Sequence, residues 1–175
     1  GKLSRWFCGL LGMALSSHSS SKSQLHFVLC GVTSGHMKSS PLSIAGPLLI
    51  QPTVFSDERG YFFESFNQHR FNELIGKNID FVQDNESFSS KGVLRGLHFQ
   101  TGEYAQAKLV RVIKGMVLDV VVDLRKDSPT FAKHFSIELS EDNKKQLFVS
   151  RGFAHGFIVL SETAVFSYKC DNFYN

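Results

Sequence analysis

The segment Arg95-Gly96-Leu97-His98-Phe99-Gln100, with Lys108 and Arg111 soon after it, holds the densest set of side chains suited to proton transfer and anion binding. Side chains alternate along a strand, so Arg95, Leu97 and Phe99 would share one face and Gly96, His98 and Gln100 the other. Gly96 leaves room for a ligand to approach the imidazole. Arg95 would face that ligand only if the strand twists or breaks near Gly96. Histidine is the side chain best matched to moving protons near neutral pH. The competing reading is a hydrogen-bonded structural histidine, which the flanking glycine and cations disfavour.

Other candidates lie further along. His155 sits between glycines and aromatics in GFAHGF, residues 152–157, which reads as a loop entering the strand FIVL. Tyr168 and Tyr174 follow in the last segment; a tyrosine can donate a proton, and its ring can stack on a base. Arg59, Arg95, Lys108 and Arg111 are cations set among strands, and arginine suits bidentate phosphate recognition. Neither a Walker loop nor a GxGxxG motif is present, so a nucleotide would be held by side chains. A metal would need several converging His and carboxylate ligands. Here the segment is His98-Phe99-Gln100, with Glu103 and His155 as the remaining candidates, and no metal site is expected. Asp119 and Asp123 can act as acids or metal ligands, or pair with a neighbouring arginine and cap a turn.

These residues need a frame. The chain has 175 residues, 42% of them hydrophobic, with 17 Phe. That length fits one domain with a real core, and the aromatic content favours strands over a helix bundle. A net charge of +3 is too small to argue for nucleic acid and suits an anionic small ligand. Cys8, Cys30 and Cys170 are far apart and form no CxxC pair, which fits a reducing, cytoplasmic compartment. Residues 1–46 stand apart. Lys2 and Arg5 precede an apolar run from Trp6 to Leu15 that is too short to span a bilayer, and a serine-rich stretch follows. This zone reads as a non-native or poorly ordered leader, with Met37 as the natural start and the ordered fold beginning near Gly46. Residues 47–175 form the expected domain. PLLIQPTVF and YFFESF read as strands, and QHRFNELIG as a short helix with Phe71, Leu74 and Ile75 on one face and Gly76 as its stop. Then come IDFVQ, GVLRGLHF, AKLVRVIKG, MVLDVVVDL, HFSIEL, QLFVS, GFIVL and AVFSYK, separated by turn clusters. Many short strands with one early helix predict a mainly β fold, a jelly-roll barrel or sandwich. In MVLDVVVDLR one register is wholly apolar and fits the core; the other mixes valine with Asp119 and Asp123 and fits a partly polar environment.

In this order, FSDERGYFFESFN, FVQDNES, GVLRGLHFQ, AKLVRVIKG, VVDLRKDSPTF and GFAHGFIVLSE resemble the dTDP-4-dehydrorhamnose 3,5-epimerase family over Pro47 to Asn175. The resemblance implies a cupin-type jelly roll, a homodimer with shared active sites, and no metal or organic cofactor. It implies a dTDP-4-keto-6-deoxyhexose substrate inverted at carbons 3 and 5, without nucleic acid or membrane as partner. His98 would be the base, Tyr168 the acid on the opposite face, and Lys108 the cation near the developing oxyanion. Arg59 and Arg95 match diphosphate-binding positions. Gln83, Asn85 and Glu64 match positions around the nucleotide, Tyr174 an aromatic near the base, and His155 a place beside the sugar. Phe55 and Phe62 would wall the pocket, the early strand serving the other subunit. The family orients its histidine with an aspartate from a C-terminal region onto which nothing before Asn175 maps, so reduced activity is expected of this chain. The alternatives are an epimerase acting at one carbon of a related dTDP-keto-sugar, a non-catalytic nucleotide-sugar-binding cupin, and a metal-dependent cupin.

Overall fold

The structure, a computed structural model, describes residues 37–174. The expectations for residues 1–36 lie outside the described residues. Twelve strands and one α-helix appear in it. One sheet has six strands in the order β1 (Lys38–Pro41), β2 (Leu48–Gln51), β10 (Gln146–Val149), β7 (Lys108–Lys114), β12 (Thr163–Cys170) and β5 (Gln83–Ser90). A second has four, β6 (Leu94–His98), β11 (Phe153–Val159), β8 (Met116–Asp123) and β9 (His134–Ser140). A hairpin of β3 (Phe55–Asp57) and β4 (Gly60–Phe62) stands apart from both sheets. All these pairings are antiparallel. The expected β-rich jelly-roll class is what the chain adopts. No helix among the described residues is long and apolar enough to cross a membrane.

The ordered part reaches further toward the N-terminus than the expected boundary near Gly46. Lys38–Pro41 pairs with β2, and Ile44 is buried in the main core. An apolar side chain with a strand behind it has more to gain inside than in solvent.

Between the two sheets lies the main core, with Val110, Val112, Leu147, Val149, Ala164 and Phe166 facing Val117, Val121, Phe153, Phe157 and Leu139. A second cluster covers the outer face of the six-stranded sheet. There the helix α1 (Gln68–Ile75) lays Phe71 against Ile50, Leu109 and Phe148, with Leu74 and Ile75 alongside. The side chain of Asn67 caps its first turn by accepting from the Arg70 N–H, and Gly76 ends it in the left-handed conformation that glycine tolerates best. With both faces of β10 covered, all four of its residues are buried.

Strand β8 reverses the expected facing. Val117, Asp119, Val121 and Asp123 are the buried register, while Met116, Leu118, Val120 and Val122 are only half-buried on the outer face. Both carboxylates are fully buried because each has partners inside. Asp123 accepts hydrogen bonds from the Arg125 side chain and backbone and from the hydroxyls of Ser128 and Thr130. It is the knot that closes the 123–130 turn. The Arg125 guanidinium above all, helped by the Ser128 and Thr130 hydroxyls and opposed by burial, holds the Asp123 carboxyl well below the usual carboxylate range. A depressed folded-state pKa stabilises the fold above the unfolded value of about 3.9 and loses that contribution as pH falls toward the folded value. Asp123→Ala should cost about 3 kcal/mol at neutral pH, the scale for breaking a buried ion pair on one side. The variant's deficit in chemical denaturation should shrink below about pH 4. A deficit that stays constant with pH would mean that packing, not the ionised carboxylate, supports this turn.

Candidate active site

The cavity that matters opens between the two sheets, where β5, β7 and β12 face β6 and β11. It has a volume of about 710 Å³, and Gln83, Asn85, His98, Lys108, His155, Tyr168, Cys170 and Tyr174 line it. A smaller recess of about 130 Å³ adjoins it, sharing His98, Lys108, His155 and Tyr168 and adding Arg95 and Ser87 to its walls.

His98 ends β6, and its position depends on an irregularity in that strand. Along β11 the partners of His98 and Arg95 are His155 and Phe157, so three steps on β6 match two on β11. One extra residue on β6 makes a bulge, and a bulge re-aims side chains. Arg95 and His98 thereby line the same recess, which meets the condition set by strict alternation. Two glycines let the strands approach there. A Cβ on Gly96, whose φ is +133°, would sit 2.6 Å from Gly156 Cα, and one on Gly156 would sit 2.7 Å from the Arg95 carbonyl oxygen. Arg95 Nε donates to Ser89 Oγ at 2.9 Å, and Nη2 to the Phe88 carbonyl at 3.3 Å.

His155 is in β11, not in a loop as its glycine-rich surroundings suggest. Both carboxylate oxygens of the fully buried Asp119 lie within 3.0 Å of its Nε2. Burial pushes the Asp119 carboxyl upward, while His155 first and then Lys108 pull it back. Asp119 therefore serves His155, not His98.

Opposite these histidines, Lys108 opens β7 and Tyr168 sits in β12, with Lys108 Nζ 5.5 Å from the centre of the tyrosine ring. Burial lowers the lysine's pKa, with Cys170 and Asp119 opposing the shift. The Tyr168 hydroxyl is pushed up, chiefly by burial and then by Cys170, with Arg95 pulling the other way. A neutral tyrosine near a cation is a competent proton donor whose anion has a nearby counter-charge.

Other expected site residues lie elsewhere in this chain. Arg59 is bound to Asp57 at the tip of the β3–β4 hairpin. Phe55 and Phe62 of that hairpin are 44% and 65% exposed. Glu64 holds Arg70 at 2.9 Å beside the helix N-terminus. None of the four lines the cavity. Arg111 points to the other face of β7, its guanidinium 5.8 Å from the Phe63 ring centre. Among the described residues, no three His, Cys, Asp or Glu side chains gather as a metal cluster would require.

Three contributors escaped the sequence reading: Ser87, Cys170 and the Asp119–His155 pair. Ser87 belongs to β5, a strand absent from the expected set. Residues 79–82, read as strand, are irregular, and the strand begins at Gln83. Its inward residues Gln83, Asn85, Ser87 and Ser89 are all polar, so a search for apolar alternation passes over it. Alternation of polar types, Q-x-N-x-S-x-S, was the available signal.

The family model for dTDP-4-dehydrorhamnose 3,5-epimerase matches residues 41–175. The dTDP-4-dehydrorhamnose 3,5-epimerase of Salmonella typhimurium is 58% identical over 133 residues, spanning 76% of this chain and 73% of that one. Among solved structures, a dTDP-6-deoxy-D-glucose-3,5-epimerase from Legionella pneumophila, in complex with dTDP-4-keto-L-rhamnose, superimposes with a TM-score of 0.78 at 49% identity, covering 80% of this chain and 74% of that one. A 3'-monoepimerase from Streptomyces bikiniensis, in complex with dTDP-quinovose, gives 0.73 at 32% identity, covering 77% and 68%. With a match over most of its length, and with a histidine and a tyrosine facing each other across the sandwich, the chain belongs to the dTDP-4-dehydrorhamnose 3,5-epimerase family.

Proposed function

We infer that this protein epimerises dTDP-4-dehydro-6-deoxy-D-glucose at C3 and C5, giving dTDP-4-dehydro-L-rhamnose for dTDP-L-rhamnose biosynthesis. The observation that carries the reading is the placing of His98 and Tyr168 on opposite sheets with one cavity between them. A hydrogen beside a ketone is removed by a base on one face of the ring, and inversion needs a proton from the other face. His98 takes the C–H proton, and the electron pair moves onto the C4 oxygen. Lys108 and His155 stand by to stabilise that oxyanion. Tyr168 then gives its proton to the opposite face of the carbon. Exchange with solvent returns a proton to Tyr168 and removes one from His98 before the second carbon reacts.

Incubating the protein with this substrate in deuterated water and following both ring positions by NMR tests the reading. Deuterium should enter at C3 and at C5, with formation of the L-rhamno product. Uptake at one position alone would favour the single-carbon activity of the Streptomyces relative.

Arg95 lines the recess and supports the diphosphate in this reading. Replacing it by Ala should weaken dTDP binding by roughly 1.5–3 kcal/mol, the scale of hydrogen bonds to charged groups. Arg59, on its projecting hairpin, acts in the pocket of a second copy of the chain. The exposed Phe55 and Phe62 beside it, and the exposed Leu94 and Leu97 on edge strand β6, suit such a homodimer. Mixing Arg59→Ala chains with His98→Ala chains should then restore activity, because each mixed dimer has one site with both residues intact. Mixed dimers no better than either parent would place Arg59 outside the shared site.

A further inference from the structure

The inward face of β5 is a ladder of Gln83, Asn85, Ser87 and Ser89. Three rungs have protein partners. Gln83 Nε2 donates to Asn85 Oδ1 at 3.0 Å, Asn85 Nδ2 to Cys170 Sγ at 3.8 Å, and Ser89 Oγ accepts from Arg95 Nε at 2.9 Å. Ser87 Oγ is buried and has no hydrogen-bond partner among the described residues. A buried hydroxyl left unpaired has given up its hydrogen bonds to water without replacement, so such a group calls for an explanation. Ser87 lines the 130 Å³ recess with His98, Lys108, His155 and Tyr168, where the proposed chemistry takes place. The recess exceeds the roughly 30 Å³ share of one water, and its walls combine polar groups with Phe157 and Phe166. A sugar ring has that mixed character.

We propose that Ser87 is a further substrate-binding residue whose hydroxyl holds the C2 hydroxyl of the hexose. The choice of C2 rests on the proposed reaction. The substrate ring carries hydroxyls at C2 and C3. Inversion carries the C3 hydroxyl from one face of the ring to the other. The C2 hydroxyl keeps its configuration through both inversions. Of the two ring hydroxyls, only that at C2 can therefore keep one fixed partner in substrate, intermediate and product alike. The neighbouring C1 bears the diphosphate, and the next rung of the ladder, Ser89, anchors Arg95, the residue proposed to hold that group. A bond made equally at every stage contributes to binding and little to the barrier.

The test is a double-mutant cycle read by calorimetry. Wild type and Ser87→Ala are titrated with dTDP, with dTDP-6-deoxy-D-glucose and with its 2-deoxy analogue. Ser87→Ala should weaken the 6-deoxyglucose conjugate roughly fivefold, the scale of one net hydrogen bond, and leave dTDP and the 2-deoxy conjugate unchanged. Its Tm should stay level or rise, since an unsatisfied hydroxyl has been removed. Equal affinities for the 6-deoxyglucose conjugate, or equal losses on both sugars, would overturn the proposal. So would a lowered Tm that Ser87→Thr restores, which would mark a structural hydroxyl. These conjugates lack the ketone and cannot react, so the cycle is independent of turnover. Coupling without deuterium exchange would remove the catalytic reading and keep the C2 contact. Exchange without coupling would do the reverse.

Discussion

Deuterium uptake at C3 and C5 should both collapse in His98→Ala, by about 10²–10⁴-fold, the usual contribution of a positioned general base. One residue serves both carbons in the proposed reaction, so one substitution should silence both positions together. dTDP affinity should hardly change, because the proposed nucleotide and diphosphate contacts come from Gln83, Asn85 and Arg95, not from the imidazole. The expected pattern is a loss in kcat with binding preserved, as for a group that acts in the transition state. Tyr168→Phe supplies the contrast. It leaves the base in place, so the abstracted proton should still exchange with solvent while the inverted product forms slowly. Rapid exchange in His98→Ala would remove His98 from its role. Equal loss of exchange in both variants would show that the two residues act on one face, against their placement on opposite sheets.

Wherever sequence neighbours decide a structure, this chain is readable. The helix shows Phe71, Leu74 and Ile75 on one face and ends on Gly76. Strands β7, β9, β10 and β12 fall within apolar runs bounded by turns. His98, Lys108, Tyr168, His155, Gln83, Asn85 and Tyr174 do meet in one cavity. What failed depends on residues far away in sequence. Which face of β8 turns inward is decided by His155, 36 positions beyond Asp119, and by the Arg125 turn around Asp123. Without those partners the Val/Asp register could not be buried. Arg95 joins His98 only through a bulge, and the bulge is tied to the contact of Gly96 with Gly156 on another strand. Strand β5 is hidden because its inner face lines a cavity, so the polar residues that make it useful erase its apolar period. Of these, β5 and Arg95 line the site and Asp119 backs His155, while Asp123 closes a turn that is not part of its lining.

Asp119 bears on this directly, since it is a positioning residue with an expected effect nearly as large as that of His98. Its carboxylate accepts from His155 Nε2–H, which leaves Nδ1 as the ring's remaining polar atom. In the proposed reaction that atom faces the C4 oxygen as charge develops there. The carboxylate behind the ring fixes its orientation toward that oxygen. Asp119→Asn keeps the shape but removes the charge that faces Nε2. Turnover should fall roughly 10²–10³-fold, the cost of losing one oxyanion donor, with dTDP affinity little changed. Burying the Asp119 charge costs desolvation that its pairing with His155 offsets, and the amide removes both together, so the same substitution should leave Tm nearly unaltered. That separates the two explanations of lost activity. A matching loss in Tm would make Asp119 a structural partner of His155. Unchanged turnover would show that His155 needs no charge behind it. The ¹⁵N shifts of His155 supply the discriminating signature: a carboxylate that acts through the ring should make them differ between the wild type and Asp119→Asn, each bound to a dTDP-sugar.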